Sequence, residues 1–122
     1  MEKIWHIADD ADLAVARETG MYRMSTRGVT LESAGFVHCS YDHQVEDVAK
    51  ALFAEDSDGL VVLVLDPDVL RSCGLTIRDE AESSSAGGEV YPHVYGPIPM
   101  DAVVAVRPAG FVDGEFVVGP PA

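Results

Sequence analysis

The longest apolar stretch of the chain, Gly59 to Leu65, closes on Leu-Val-Val-Leu-Val-Leu. Its β-branched residues run without polar alternation, which predicts a strand over Leu60–Leu65 buried on both faces. Val45, Val48, Ala49, Leu52 and Phe53 instead recur at helical spacing, opposite a wet face of Asp42, Glu46, Asp47 and Lys50. That pattern predicts a helix from Ser40 to about Ala54, with Ser40 as its cap and Gln44 one residue off capping-box spacing. An earlier helix over roughly Asp10 to Thr19 follows from Leu13, Ala14, Arg17 and Gly20. Asp9 or Asp10 offers its N-cap and Gly20 its stop.

Shorter β-prone runs are Ile4–Ile7, Met21–Arg23, Gly35–Ser40, Leu75–Arg78 and Val103–Val106. Val112-Asp113-Gly114-Glu115-Phe116 reads as a hairpin with an Asp-Gly turn. Ser25–Gly28 and Asp66-Pro67-Asp68 read as turns, and Ala81–Gly88 as a small polar loop. Two helices come early and most strands late, with no repeat and no linker. The expectation is an α+β fold with mainly antiparallel sheet, one domain over residues 1–118 and a tail over 119–122.

Composition changes little in that picture. The chain has 122 residues, 48% hydrophobic and 24% charged, which excludes a disordered chain. No stretch is long enough for a transmembrane helix, and the N-terminus lacks a secretory layout, so a cytoplasmic location is expected. Cys39 and Cys73 stand far apart, and both are expected to be buried and reduced. Charge is more telling. Eight Lys and Arg against 21 Asp and Glu give a formal net charge of −13. No cationic cluster is present to neutralise phosphates, so neither nucleic acid nor an acidic membrane is an expected partner.

The candidate chemistry lies with the histidines. His6, His38 and His93 each sit in a β-prone segment, where burial and hydrogen bonds control an imidazole tightly. A histidine in such a place is more often a satisfied core or edge residue, but three in similar settings point to a shared site. His43, on the first turn of the second helix beside Asp42, reads as solvated. In Pro92-His93-Val94-Tyr95-Gly96-Pro97 two prolines and a glycine stiffen the backbone around His93 and Tyr95. That segment reads equally as a site element or as a stiff loop joining two strands. Arg78-Asp79-Glu80 ends a strand, where its guanidinium and carboxylate would complete a histidine-lined cleft.

Taken together, Ile4-Trp5-His6-Ile7, Gly35-Phe36-Val37-His38-Cys39-Ser40, His43-Gln44, Leu65-Asp66, Arg78-Asp79-Glu80 and Tyr91-Pro92-His93-Val94-Tyr95-Gly96-Pro97-Ile98 resemble the bacterial family called domain of unknown function 952. That family is similar in turn to the ADP-ribosyltransferase-like superfamily, and nearest to its RNA 2′-phosphotransferase branch. The resemblance implies two small antiparallel sheets around an NAD-binding cleft, with two flanking helices. Under it His6 matches a first-strand histidine that holds the NAD ribose, His38 a second-strand histidine, and Ser40 its neighbour at a helix start. Asp9 and Asp10 depart from the Gly-Thr or Gly-Ser that often follows the first histidine. Glu80 and Glu89 both compete for the third-strand glutamate. The chain also lacks the basic RNA-binding part of the phosphotransferases.

The resemblance therefore implies an NAD-binding or NAD-cleaving enzyme acting on a small dinucleotide, with an unassigned protein acceptor. No metal is expected, because no Cys or carboxylate shares the tight spacing of a metal loop and the histidines come from separate strands. His6, His38, Glu80 and His93 are its catalytic candidates, and Trp5, Ser40, Arg78 and Tyr95 its ligand contacts. His6 would bond ribose hydroxyls, and His38 and His93 would position the ribose or an acceptor. Glu80 would favour a cationic transition state, Arg78 would meet a phosphate, and Tyr95 would stack on nicotinamide or adenine. A shared site requires the three imidazoles to converge within roughly 10 Å, an allowance for a ligand between groups whose direct bonds span only about 3 Å. Two alternatives stand beside this reading: a histidine-based metal enzyme on His6, His38 and His93, and a non-catalytic small-ligand binding module.

Overall fold

The computed structural model describes residues 2–53, 58–81 and 89–121. In chain order its elements begin with β1 (Ile4–Asp9), α1 (Asp10–Thr19), β2 (Met21–Tyr22), β3 (Met24–Thr26), β4 (Val29–Thr30) and α2 (Leu31–Ala34). Then come β5 (Val37–His38), α3 (Val45–Phe53), β6 (Leu60–Leu65), α4 (Pro67–Ser72) and β7 (Thr76–Ala81). The chain ends through β8 (Val90–Tyr95), β9 (Ile98–Pro99), a 3₁₀ turn over Met100–Ala102, β10 (Val103–Val112) and β11 (Glu115–Val118). The fold is mixed α and β, and every strand pairing is antiparallel. No helix among the described residues is long and apolar enough to cross a membrane.

A four-stranded sheet runs β1-β6-β10-β11 and a three-stranded sheet runs β5-β8-β7, with the two-stranded ribbons β2-β9 and β3-β4 beside them. As its unbroken apolar run predicts, β6 lies between two partners and feeds two cores. Leu63 and Leu65 join Ile4, Leu13, Tyr22, Val37, Leu70 and Val94 on one side. Leu60, Val62 and Val64 join Ile7, Val45, Val48, Ala49, Phe53 and Phe116 on the other. The inner face of the three-stranded sheet rests on the first of these cores. A bridge from Trp5 to Ser40, with Trp5 N–H to Ser40 O at 2.7 Å and Ser40 N–H to Trp5 O at 2.8 Å, ties β1 to the segment after β5.

Several expectations need correction. The Ser40 cap is wrong, because Ser40 is buried in that bridge and α3 begins only at Val45. Gln44 instead reaches back, its Oε1 accepting from the Tyr41 N–H at 3.0 Å. Leu52 is left half-exposed at the rim of a small pocket, off the buried stripe. The expected end at Ala54 lies outside the described residues. Asp66-Pro67-Asp68 is a helix start, with the Asp66 carboxylate accepting from the Asp68 N–H and Pro67 at the first helical position. Ser25 and Thr26 belong to β3, and the short helix α2, capped by Thr30, was not anticipated. Two expected helices thus become four among the described residues. Cys73 is exposed, whereas Cys39 is buried, and both are free thiols.

Other readings hold. α1 spans Asp10–Thr19 and stops at Gly20 in the left-handed conformation. Asp9 occupies its N-cap without capping it, because Arg27 Nε grips both carboxylate oxygens at 2.9 and 3.0 Å. The Asp113-Gly114 turn joins β10 to β11 with both residues at positive φ. In the tail, the Gly119 N–H bonds Pro108 O at 2.7 Å. Of the polar loop expected over Ala81–Gly88, Ala81 ends β7 and the rest lies outside the described residues.

Candidate functional site

Side chains alternate across a strand, and here the alternation sorts apolar residues from chemically active ones. Val37, Ile77 and Val94 face the first core. On the opposite face stand His38 from β5, Tyr91, His93 and Tyr95 from β8, and Thr76, Arg78 and Glu80 from β7. The register aligns His38, His93 and Arg78 in one row across the three strands. Glu80 with Tyr91, and Thr76 with Tyr95, form the flanking rows. The Pro92 segment is therefore a central strand and not a connecting loop. The Pro92 carbonyl accepts from the Cys39 N–H at 3.0 Å, so its missing N–H falls on that side, where β5 has just ended. Beyond it, Gly96 sits at φ 141°, where a Cβ would collide with Leu75.

The row is knitted together by aromatic and carboxylate contacts. The His38 and His93 ring centroids lie 5.5 Å apart, and Phe36 stacks on His93 at 3.9 Å with planes 11° apart. Tyr91 borders His38 at 5.6 Å. Glu80 Oε1 accepts from His93 Nδ1 at 2.8 Å and from the Tyr95 hydroxyl. These two donors, Tyr95 first, hold the Glu80 carboxyl below its ordinary range, and the same bond pushes the Tyr95 phenol up. Facing a carboxylate, His93 carries a proton on Nδ1. The exposed Arg78 guanidinium lies 5.5 Å above the Tyr95 ring. The arrangement sets an anion, an exposed cation, aromatic surface and two imidazoles on one sheet face.

His6 stands apart from that face. It is 1% exposed, on the side of β1 that lines the first core. Its Nδ1 lies 2.6 Å from the His38 carbonyl oxygen and its Nε2 2.9 Å from the Tyr22 hydroxyl. Burial pulls its pKa down to about 4, and burial likewise pushes the Tyr22 phenol up. The pair is neutral: Nδ1–H donates to His38 O, and the Tyr22 O–H donates to Nε2. His6 and His38 also line a pocket of about 10 Å³ with Trp5, Thr26 and Ser40, room for about one water molecule.

The other candidates fall in separate places. Trp5 points to the opposite face of β1, where the Arg107 guanidinium lies 5.1 Å from its ring. Together they line a groove of about 350 Å³ with Lys3, Asp42, Val64 and Ala105. Ser40 is buried in the β-bridge. Of the two competing glutamates, Glu80 meets His93, while the Glu89 carboxylate lies 3.2 Å from Gln44 Nε2. The Cys39 thiol is buried, and that burial pushes its pKa up, away from the thiolate form. Sequence reasoning passed over Phe36, Tyr91 and Tyr22. Tyr91-x-His93-x-Tyr95 carried a usable period-two signal, whereas Phe36 and Tyr22 had none. For metal, the only group of three His, Cys, Asp or Glu donors within 4.8 Å of one another among the described residues is Glu2, Asp42 and His43, all exposed. His6, His38 and His93 do not form such a group.

A family model described as "Protein of unknown function (DUF952)" matches residues 7–106. The chain belongs to the DUF952 family. Among solved structures it is similar to protein CC0527 from Caulobacter crescentus, at 25% identity over 94% of this chain and 93% of that chain, with a TM-score of 0.76. A double mutant of CC0527 aligns over the same shares at 23% identity and a TM-score of 0.71, a likeness of fold alone. No curated protein matches the chain. None of these relatives brings an activity with it, so the chemistry of this DUF952 member rests on its site geometry.

Proposed function

We propose that the protein binds an NAD-type dinucleotide on the His38–His93–Arg78 face and cleaves its nicotinamide–ribose bond, in the manner of ADP-ribosyltransferase-like enzymes. The observation that carries this reading is the ionised Glu80 carboxylate bonded to His93, with His38 and Arg78 in the cross-strand row of His93. As nicotinamide leaves, positive charge grows on the ribose, and a preorganised anion stabilises that charge where it develops. Arg78 supplies the cation for a phosphate, and Tyr95 and Tyr91 supply flat surface for a ring. His38 orients the ribose or an acceptor hydroxyl, and His93, 3% exposed beneath Phe36, holds Glu80 in place.

The test is to incubate the protein with NAD, follow nicotinamide release, and measure the melting temperature with NAD and with ADP-ribose. The reading expects release and a ligand-dependent rise in melting temperature, both lost in Arg78→Ala. No release and no rise with either ligand refutes it. One observation favours a non-catalytic binding module: Glu80 Oε1 already accepts from both His93 and Tyr95. That reading expects ADP-ribose to raise the melting temperature with no nicotinamide released.

A further inference from the structure

We infer that His6 touches no ligand and is a positioning residue, whose Nδ1–H fixes the backbone of His38 and thereby the place of the His38 ring in the site. The inference rests on the proposed function only in treating His38 as a ligand contact. Three features carry it. The imidazole is 1% exposed, and both nitrogens are engaged inside the protein at 2.6 and 2.9 Å. A ribose hydroxyl could reach neither without displacing the His38 carbonyl or the Tyr22 hydroxyl, leaving a buried polar group without a partner.

The three bonded residues also come from three different sheets. His6 is on β1 of the four-stranded sheet, Tyr22 on the β2-β9 ribbon, and His38 on β5 of the three-stranded sheet. β5 has only two paired residues; the Cys39–Pro92 bond and the Trp5–Ser40 bridge hold the residues just after it, and the His6 bond is the one that reaches the His38 carbonyl itself. The short bond from His6 supplies an anchor that the ladder lacks. The His38 carbonyl, which can only accept, fixes the proton on Nδ1, and the Tyr22 hydroxyl, able to donate or accept, answers by donating to Nε2 and braces the ring from behind. The positioning chain runs Tyr22 to His6 to the His38 carbonyl.

The experiment combines nitrogen-detected NMR of the histidine rings with NAD titration of three variants. In the wild-type protein the inference expects His6 as the Nδ1–H tautomer, with ring resonances that NAD leaves in place while those of His38 move. His6→Leu, which removes the donor, should shift the His38 ring resonances and weaken NAD binding about tenfold, roughly the weight of one net hydrogen bond. His6→Asn, which keeps an N–H near Nδ1, should restore most of both. Tyr22→Phe should keep the fold and the Nδ1–H tautomer, and should shift the His38 ring resonances less than His6→Leu does. Direct movement of the His6 resonances on adding NAD, or an Nε2–H tautomer in the wild type, overturns the inference, as does a His6→Leu variant with an unmoved His38 ring. If NAD binds no form of the protein, the proposed function fails, while the tautomer and the His38 ring resonances still decide the positioning role.

Discussion

The four-stranded and three-stranded sheets share antiparallel pairing but spend their two faces differently. In the first, the central strand β6 is buried on both sides, by Leu63 and Leu65 against one core and Val62 and Val64 against the other. In the second, Val37, Ile77 and Val94 face a core while His38, Arg78, Glu80, His93 and Tyr95 crowd the opposite face. A strand apolar on both faces has no room for chemistry and serves as scaffold. A sheet with one apolar face leaves the other to polar and titratable side chains. His6 is the exception that joins the two, a polar residue set in the scaffold to hold one strand of the working sheet.

The largest effect that separates the two sheets belongs to the scaffold. Leu63→Ala, at a fully buried position of β6, should cost about 2–5 kcal/mol in denaturant unfolding and leave the ligand affinity of the folded fraction unchanged. A loss of affinity at constant stability would mean that the division of labour is wrong. Next is pH. His6 titrates near about 4 in the folded chain against 6.5 unfolded, so between those values the unfolded chain binds more protons. The contribution of His6 is whole above pH 6.5, falls as pH drops, and is gone near pH 4. At about 1.4 kcal/mol per pKa unit the loss reaches roughly 3 kcal/mol. The pH profile of stability should flatten across that window in His6→Leu.

A smaller effect on stability, but the decisive one for the working sheet, is expected of Glu80→Gln. It removes the anion that binds His93 and Tyr95, and should lower nicotinamide release at least about tenfold with the melting temperature little changed. Equal release from the variant would detach Glu80 from the chemistry. The smallest effect is at Val117, exposed on the edge strand β11, where Val117→Thr should move stability by no more than about 0.5 kcal/mol. A larger change would show that this edge is covered in solution.

How far the sequence revealed this division depends on which pattern each sheet writes. β6 was legible because six apolar residues in a row have only one home. Most of α3 was legible because Val45, Val48, Ala49 and Phe53 repeat at helical spacing. The working sheet was legible in its residues and not in its structure. His38, His93, Glu80, Arg78 and Tyr95 stood out chemically, yet Pro92, Gly96 and Pro97 masked the alternation that makes β8 a strand. Pro92 is tolerated because its missing N–H falls just past the end of β5, a fact of pairing that local sequence does not carry. His6 was found as a residue, but local sequence does not carry the engagement of both its nitrogens, since Tyr22 and His38 arrive from elsewhere in the chain. Asp66-Pro67 failed for a simpler reason: the same pair that opens a helix also opens a turn.

The central claim, that the ligand lies on the polar face of the three-stranded sheet, is tested most directly by mapping the chemical shifts that NAD and ADP-ribose perturb on the intact protein. The account predicts perturbations concentrated at His38, Arg78, Glu80, His93 and Tyr95, with those of Leu63 and Val117 unmoved. Perturbations confined to the groove of Trp5 and Arg107, or none with either ligand, would contradict it.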